Sequence, residues 1–328
     1  MNPALETLML AADSIPQRAL FFGAEPHPDL AKWPSIRGWQ PLKPKAAAWE
    51  RAGFQRLDHA EGKWPLILML PGKSRDETLA WFAKAHDLLE PGGTLIAAMP
   101  NTAGAGRFEK ELANAAGNIA SIQKHKCRAF QATADGKWNA EILDEWRTLG
   151  ERRVISGTHF TTEAGIFSAD HIDPGSQFLA DHLPASLRGK VADLGAGWGF
   201  LSDAVLKRCP GIDHLDLFEA DSRALECAKL NVAGPAEFHW HDVTTGLPLI
   251  YDAIVMNPPF HTGQATDVDL GRAFFKTAAA SLTRNGKLFL VANRQLPYEP
   301  ELTTLGLRWK NAAENQIYKL LFAERRSS

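Results

Sequence analysis

The sequence predicts an α/β protein built on a doubly wound, mostly parallel sheet. Three observations carry that expectation. The C-terminal half of the 328 residues alternates short apolar runs with segments of helical spacing. The connections between them are short, which implies parallel strands with helical crossovers. And one stretch of the N-terminal half repeats the outline of a stretch in the C-terminal half.

The C-terminal elements follow in order. "KVADLGAG" is an apolar strand ending in glycines, and "FLSDAVLKRC" is a helix. "HLDLFEAD" and "SRALECAKLNVA" are the next strand and helix. "AEFHWHDV" and "YDAIVMN" are the third and fourth strands. "DLGRAFFKTAAASLT" is a long helix leading to a fifth strand, "GKLFLVAN". The end, "LRWKNAAENQIYKLLFAE", reads as strand, polar turn, strand, which implies one antiparallel edge strand.

In the first half, "WPLILMLPGKSRDETLAWFAKAHDLLEPGGTLIAAMPN" has the plan of "YDAIVMNPPFHTGQATDVDLGRAFFKTAAASLTRNGKLFLVAN". Gly93 falls opposite Gly286 and Pro71 opposite Pro258, which reads as an internal duplication. Leu70 then replaces Asn257, and Lys73 replaces Phe260. No glycine-rich strand end like Asp193–Gly199 is evident there. The first half is therefore expected to be a degenerate copy, kept for packing or substrate binding. Charge and glycine interrupt the apolar pattern around "DEWRTLGERRVISGT", placing the domains at 1–150 and 151–328.

Composition narrows the function. A net charge of -2 argues against a broadly basic nucleic-acid binder, so any RNA contact rests on local patches. No apolar run approaches the roughly 18 residues of a membrane span. The N-terminus carries acids where a secretory signal carries basic residues, and reads as a short amphipathic helix. Cys127, Cys209 and Cys227 have no metal or disulfide spacing, so buried reduced thiols of a cytoplasmic protein are expected, with no metal.

The chemistry gathers at four strand ends. After Asp193 come Gly195, Gly197 and Gly199 and then a helix. Glycines let backbone approach a ligand, and a helix start offers free N–H groups, although a tight turn with no ligand has the same look. Glu219 ends the second strand about 20 residues on, where a carboxylate can hold both ribose hydroxyls. Asp242 is placed to accept from an adenine amine or to cap a turn. The fourth strand ends in Asn257, Pro258, Pro259 and Phe260. The prolines force the chain out of the sheet and leave the Pro258 carbonyl without a ladder partner. That carbonyl and the Asn257 side-chain oxygen can each accept one N–H of a planar amine, and Phe260 can stack on the ring bearing it.

These motifs resemble the class I S-adenosylmethionine-dependent methyltransferases. More narrowly, they resemble the bacterial ribosomal-RNA guanine-N2 methyltransferases of the RsmC type. The resemblance runs from "GIFSADHIDPGSQFLADHL" through "DLGAGWGFLS", "NPPFHTG" and "VANRQLPY" to "IYKLLFAERR". It implies two tandem Rossmann-like methyltransferase domains, the first degenerate. It implies a cofactor loop of Asp193, Gly195, Ala196 and Gly197, with Glu219 on the ribose and Asp242 on the adenine. Ser176 and Gln177 would line the methionine end of that pocket, and Asn257 to Phe260 would be catalytic. Trp198 departs from the small residue usual in the loop and is expected to pack beneath it. Candidate RNA contacts are Lys124, Lys126 and Arg128 in "KHKCR", and Arg294, with a merely solvated face as the alternative for "KHKCR".

The expected activity is transfer of the S-adenosylmethionine methyl to a guanine N2 of ribosomal RNA, most simply in the small-subunit 16S rRNA. The protein is expected to be a monomer, off the membrane, with a ribosomal subunit or its RNA as partner. Other planar amines remain alternatives: a large-subunit guanine, adenine N6, or a protein glutamine amide. So does a non-catalytic RNA-binding protein on the same fold.

Overall fold

A computed structural model of the chain describes residues 2–12, 14–259 and 265–325. The chain forms two compact units. The first runs to Arg152 and takes back Glu163–Gly165; the second holds Arg153–Thr162 and everything from Ile166 onward.

The first unit contains α1 (Pro3–Ala11), β1 (Ala19–Phe22), β2 (Ile36–Trp39), α2 (Lys43–Arg51), β3 (Gln55–Leu57) and β4 (Trp64–Met69). It continues with α3 (Arg75–Leu88), β5 (Leu89–Pro100), α4 (Ala105–Ala116), β6 (Ile119–Lys124), β7 (Cys127–Thr133) and α5 (Ala140–Leu149). The second opens with a small ribbon, β8 (Arg153–Val154) and β9 (Thr161–Thr162), and α6 (Pro174–His182). Then come β10 (Arg188–Leu194), α7 (Phe200–Arg208), β11 (Gly211–Glu219), α8 (Ser222–Asn231), β12 (Ala236–Trp240) and β13 (Tyr251–Met256). It closes with α9 (Ala265–Ala280), β14 (Leu282–Asn293), α10 (Glu299–Thr304), β15 (Leu307–Glu314) and β16 (Tyr318–Arg325).

The two large sheets share one plan. The first has the order β3-β2-β1-β4-β5-β7-β6, the second β12-β11-β10-β13-β14-β16-β15. The reversed strand is β16, antiparallel to β14 and inserted between β14 and β15, so the edge itself is β15. β7 does the same in the first sheet. Register makes the halves comparable residue by residue. Phe22 pairs with Trp39 and Met69, as Leu194 pairs with Phe218 and Met256.

Helices cover both faces of the second sheet, so its central strands are apolar throughout rather than alternating. In β13, Ala253, Ile254, Val255 and Met256 are all buried. One face packs on Phe274, Phe275 and Ala278 of α9, the other on Leu201 and Val205 of α7. Each such large side chain contributes about 1.5–3 kcal/mol by leaving water. This packing fixes where the strand ends project. The three cysteines are buried and none forms a disulfide.

Candidate active site at the carboxyl edge of the second sheet

At the end of β10, Gly195 and Ala196 donate their N–H groups to the Phe218 carbonyl, at 2.8 and 3.1 Å. The chain turns there through left-handed φ values of 76° at Gly195 and 56° at Gly197. A Cβ added at Gly197 would meet nothing within 4 Å, so the loop is shaped around open space. Gly199 differs. A Cβ there would lie 2.6 Å from Val232 Cγ2, so this glycine serves close packing beside α8.

Glu219 is tied to that loop. Its Oε2 accepts from Gly197 N–H at 2.7 Å and its Oε1 from Asp221 N–H at 2.8 Å. Burial pushes its carboxyl upward, opposed by those backbone donors. A carboxylate has about four acceptor positions, so two remain for a diol. Asp193 lies fully buried beneath the loop. Its Oδ2 accepts from Ser202 Oγ at 2.6 Å, while Oδ1 is buried without a partner among the described residues. Burial pushes this carboxyl up to about 7, with the Ser202 hydrogen bond opposing and the Glu219 charge adding. The open glycine cradle and the fixed carboxylate beside it fit the ribose end of S-adenosylmethionine.

Asp242 caps a 3-10 turn, Val243–Thr245. Its Oδ1 accepts from Thr244 N–H at 3.0 Å and Thr244 Oγ at 2.6 Å. Trp198 packs away from the loop, 4% exposed, against Phe160 and Phe200. Its indole N–H donates to the Phe167 carbonyl at 3.0 Å.

On the neighbouring strand β13, Asn257 follows Met256 and its amide NH2 is held by two acceptors. Nδ2 donates to Asp173 Oδ2 at 2.7 Å and to Ser176 Oγ at 2.8 Å. Oδ1 is thereby the atom left for an incoming N–H. Pro258 is buried and Pro259 half-buried. Phe260 lies outside the described residues.

The remaining candidates divide. Ser176 reaches the site through Asn257. Gln177 does not: it is exposed, and its Nε2 donates to Asp181 Oδ1 at 2.8 Å along α6. One residue along a helix turns the side chain by about 100°, onto another face. Arg294 is exposed just beyond β14, the parallel neighbour of β13, and so leaves the sheet at the same edge as Asn257. Lys124 and Lys126 flank the tip of the β6–β7 hairpin in the first unit, and both are exposed. Its two turn residues, His125 and Lys126, have φ of 52° and 57°, as a two-residue primed turn requires. Arg128 departs from the expected free cation, because it is ion-paired with Glu109.

Sequence reasoning missed Asp173. "DPGSQ" shows a helix cap, with Asp173 accepting from Ser176 N–H and proline at the first position. It does not show the second bond, to a residue 84 positions away. The first half has no glycine-rich strand end, yet its first strand closes on a single glycine that makes the same backbone bonds. Gly23 (φ 69°) and Ala24 donate to the Trp39 carbonyl as Gly195 and Ala196 do to Phe218. Gln40 stands in register for Glu219. Its Oε1 accepts from Leu42 N–H at 3.0 Å, and its Nε2 donates to the Ala24 carbonyl at 3.0 Å. Phe21 stands for Asp193, and Leu70 for Asn257.

A doubly wound sheet with this glycine loop, an acid at the second strand end and an Asn-Pro-Pro exit from the fourth defines a class I S-adenosylmethionine-dependent methyltransferase. The chain belongs to the methyltransferase small-domain family, whose model matches residues 157–322, and is of the RsmC type. It is 29% identical over 266 residues to ribosomal RNA small subunit methyltransferase C of Psychromonas ingrahamii, covering 80% of this chain and 76% of that one. It is 36% identical over 191 residues to ribosomal RNA large subunit methyltransferase G of Alcanivorax borkumensis, covering 54% and 46%. Among solved structures it resembles the T. Thermophilus 16S rRNA N2 G1207 methyltransferase (RsmC) in complex with AdoMet and guanosine. The TM-score is 0.83 with 25% identity, covering 99% of this chain and 92% of that one.

Proposed function

We propose that this chain methylates the N2 amine of a guanine in 16S ribosomal RNA, with S-adenosylmethionine as methyl donor. The observation that carries the reading is the Asn257 amide, whose NH2 is taken up by Asp173 and Ser176, leaving Oδ1 as the atom available to accept. An available acceptor next to the Pro258 carbonyl in the chain suits a planar amine with two hydrogens to give. Bound S-adenosylmethionine supplies the electrophilic methyl. Gly195, Ala196 and Gly197 form its cradle, supported from beneath by Asp193, which is buried against Ser202; Glu219 receives the ribose diol and Asp242 Oδ2 the adenine amine. Ser176 supports the site through Asn257 rather than by lining the cofactor pocket. Asn257 and Pro258 orient the amine, Pro259 directs the exit of the chain and Phe260 stacks on the base. Asn257 takes no proton; its contribution is placement and a fixed dipole.

Of the two domains expected from the sequence, 151–328 is assigned the catalysis, and 1–150 RNA contact or support. Lys124, Lys126 and Arg294 are the cations proposed to meet phosphate. The enzyme is placed in the cytoplasm as a monomer acting on a ribosomal subunit; no described helix is long and apolar enough to cross a membrane. A large-subunit target is the second reading, favoured by the 36% identity to the large subunit methyltransferase.

The test incubates the purified chain and labelled S-adenosylmethionine with undermodified small and large subunits, then maps the methylated nucleotide. Label at a guanine N2 of the small subunit is expected. Label in adenine, in the large subunit alone or in glutamine rejects the first reading. Asn257→Ala should lower the rate about 100-fold or more with cofactor affinity retained; wild-type rates would remove Asn257 from its role.

A further inference from the structure

We infer that Asp173 is a positioning residue that sets which way the Asn257 amide faces. The inference rests on the role proposed for Asn257 and adds the group that enforces it. An asparagine amide has two orientations of nearly equal shape, one presenting oxygen and the other NH2. Only the first can receive an amine. Something must therefore decide between them.

Ser176 cannot decide, because a hydroxyl both donates and accepts and would satisfy either orientation. Asp173 can. An ionised carboxylate accepts only, so Oδ2 at 2.7 Å selects the NH2 face of Asn257 and repels its oxygen. The carboxylate is itself immobilised. The same Oδ2 accepts the Ser176 N–H at 2.8 Å as the N-cap of α6. Pro174 follows at the first helical position, which fixes the chain on the other side. The surroundings are tight: a Cβ at Gly175 would lie 3.0 Å from Asp173 Oδ2 and 3.1 Å from the Tyr318 ring. One carboxylate thus anchors a helix start and orients the end of a strand 84 residues away.

The first unit has the corresponding cap and lacks the corresponding use. Asn2 caps α1 by accepting from Ala4 N–H, and Pro3 follows it. Its Nδ2 donates to Glu25, and position 70, in register for Asn257, is leucine. With no amide to orient, the acceptor-only carboxylate is absent.

Capping and positioning separate by substitution. Serine caps a helix about as well as aspartate but is too short to reach Asn257 as well. Asparagine caps equally well and keeps an oxygen of full reach. Asp173→Ser should leave the melting temperature and the S-adenosylmethionine affinity near wild type while lowering kcat about 10- to 100-fold. Asp173→Asn should recover most of that loss. Independently of turnover, selective 15N-asparagine labelling of the ligand-free chain, with Asn257→Ala for assignment, reads the Asn257 side-chain NH2. Its protons should exchange slowly in the wild type and fast in Asp173→Ser. A kcat for Asp173→Ser within twofold of wild type overturns the inference, as does equal exchange in the two proteins. If the wild type methylates no ribosomal RNA, the proposed function fails separately, and the exchange comparison alone decides the role of Asp173.

Discussion

Replacing Asp193 by asparagine probes the electrostatics beneath the glycine loop. Burial moves this carboxyl from its ordinary 3.8 to about 7 in the folded protein. Between those values the folded chain holds a proton that the unfolded chain has released. Stability therefore falls as pH rises through that window. At about 1.36 kcal/mol for each pH unit of displacement, the cost accumulates to about 4 kcal/mol once Asp193 is fully ionised. Asparagine does not titrate. It can still accept from Ser202, though its NH2 enters the place of the unpartnered Oδ1 and costs about 1–3 kcal/mol at every pH. Wild type should thus be the more stable at pH 4.5 and lose that lead by pH 8. Hydrogen exchange by mass spectrometry, on peptides from β10 to β13 of the ligand-free proteins, isolates the second unit. A wild-type-minus-variant difference that stays flat from pH 4.5 to 8 would refute the reasoning, since titrating groups that do not interact with Asp193 cancel in it and the coupled Glu219 only adds to the slope.

Three further outcomes follow from the same geometry. Gly197→Ala places a methyl in the open cradle at φ 56°; folding should weaken by about 1 kcal/mol while calorimetry finds S-adenosylmethionine binding abolished. Glu219→Gln retains the shape but puts an NH2 against either Gly197 or Asp221 N–H, so cofactor affinity should drop by about 2–3 kcal/mol, or 30- to 150-fold, in the same assay. Charge reversal at Lys124 and Lys126 should raise KM for the ribosomal subunit and reduce the salt dependence of binding by about two counterions, with cofactor affinity unchanged.

Much of this was legible because it is local. Glycines after an apolar run, an acid closing the next strand and prolines closing the fourth each constrain their own backbone, and the sheet follows from their alternation. What escaped depends on partners distant in the chain. Nothing near Arg128 announces Glu109, which holds it from the neighbouring helix. Gln177 reads as a neighbour of Ser176, yet helical rotation separates their faces. The strands β1 and β2, of four residues each, are too short for their pattern to stand out. With them went the glycine of the first half and the identity of Gln40.

That glutamine has a thermodynamic consequence. In the second unit the loop is closed by a charged group whose remaining acceptors suit a ligand. In the first, the amide spends its oxygen on Leu42 and its nitrogen on Ala24, so the crevice is completed by the chain itself. One sequence thus carries a fold with a site open to a ligand and a twin whose matching amide is satisfied by its own backbone. Saturation with S-adenosylmethionine, at a hundred times its Kd, should stabilise the second by about 2.7 kcal/mol and leave the first where it was. The first half becomes a reference built into the same molecule, against which the gain of the other can be read.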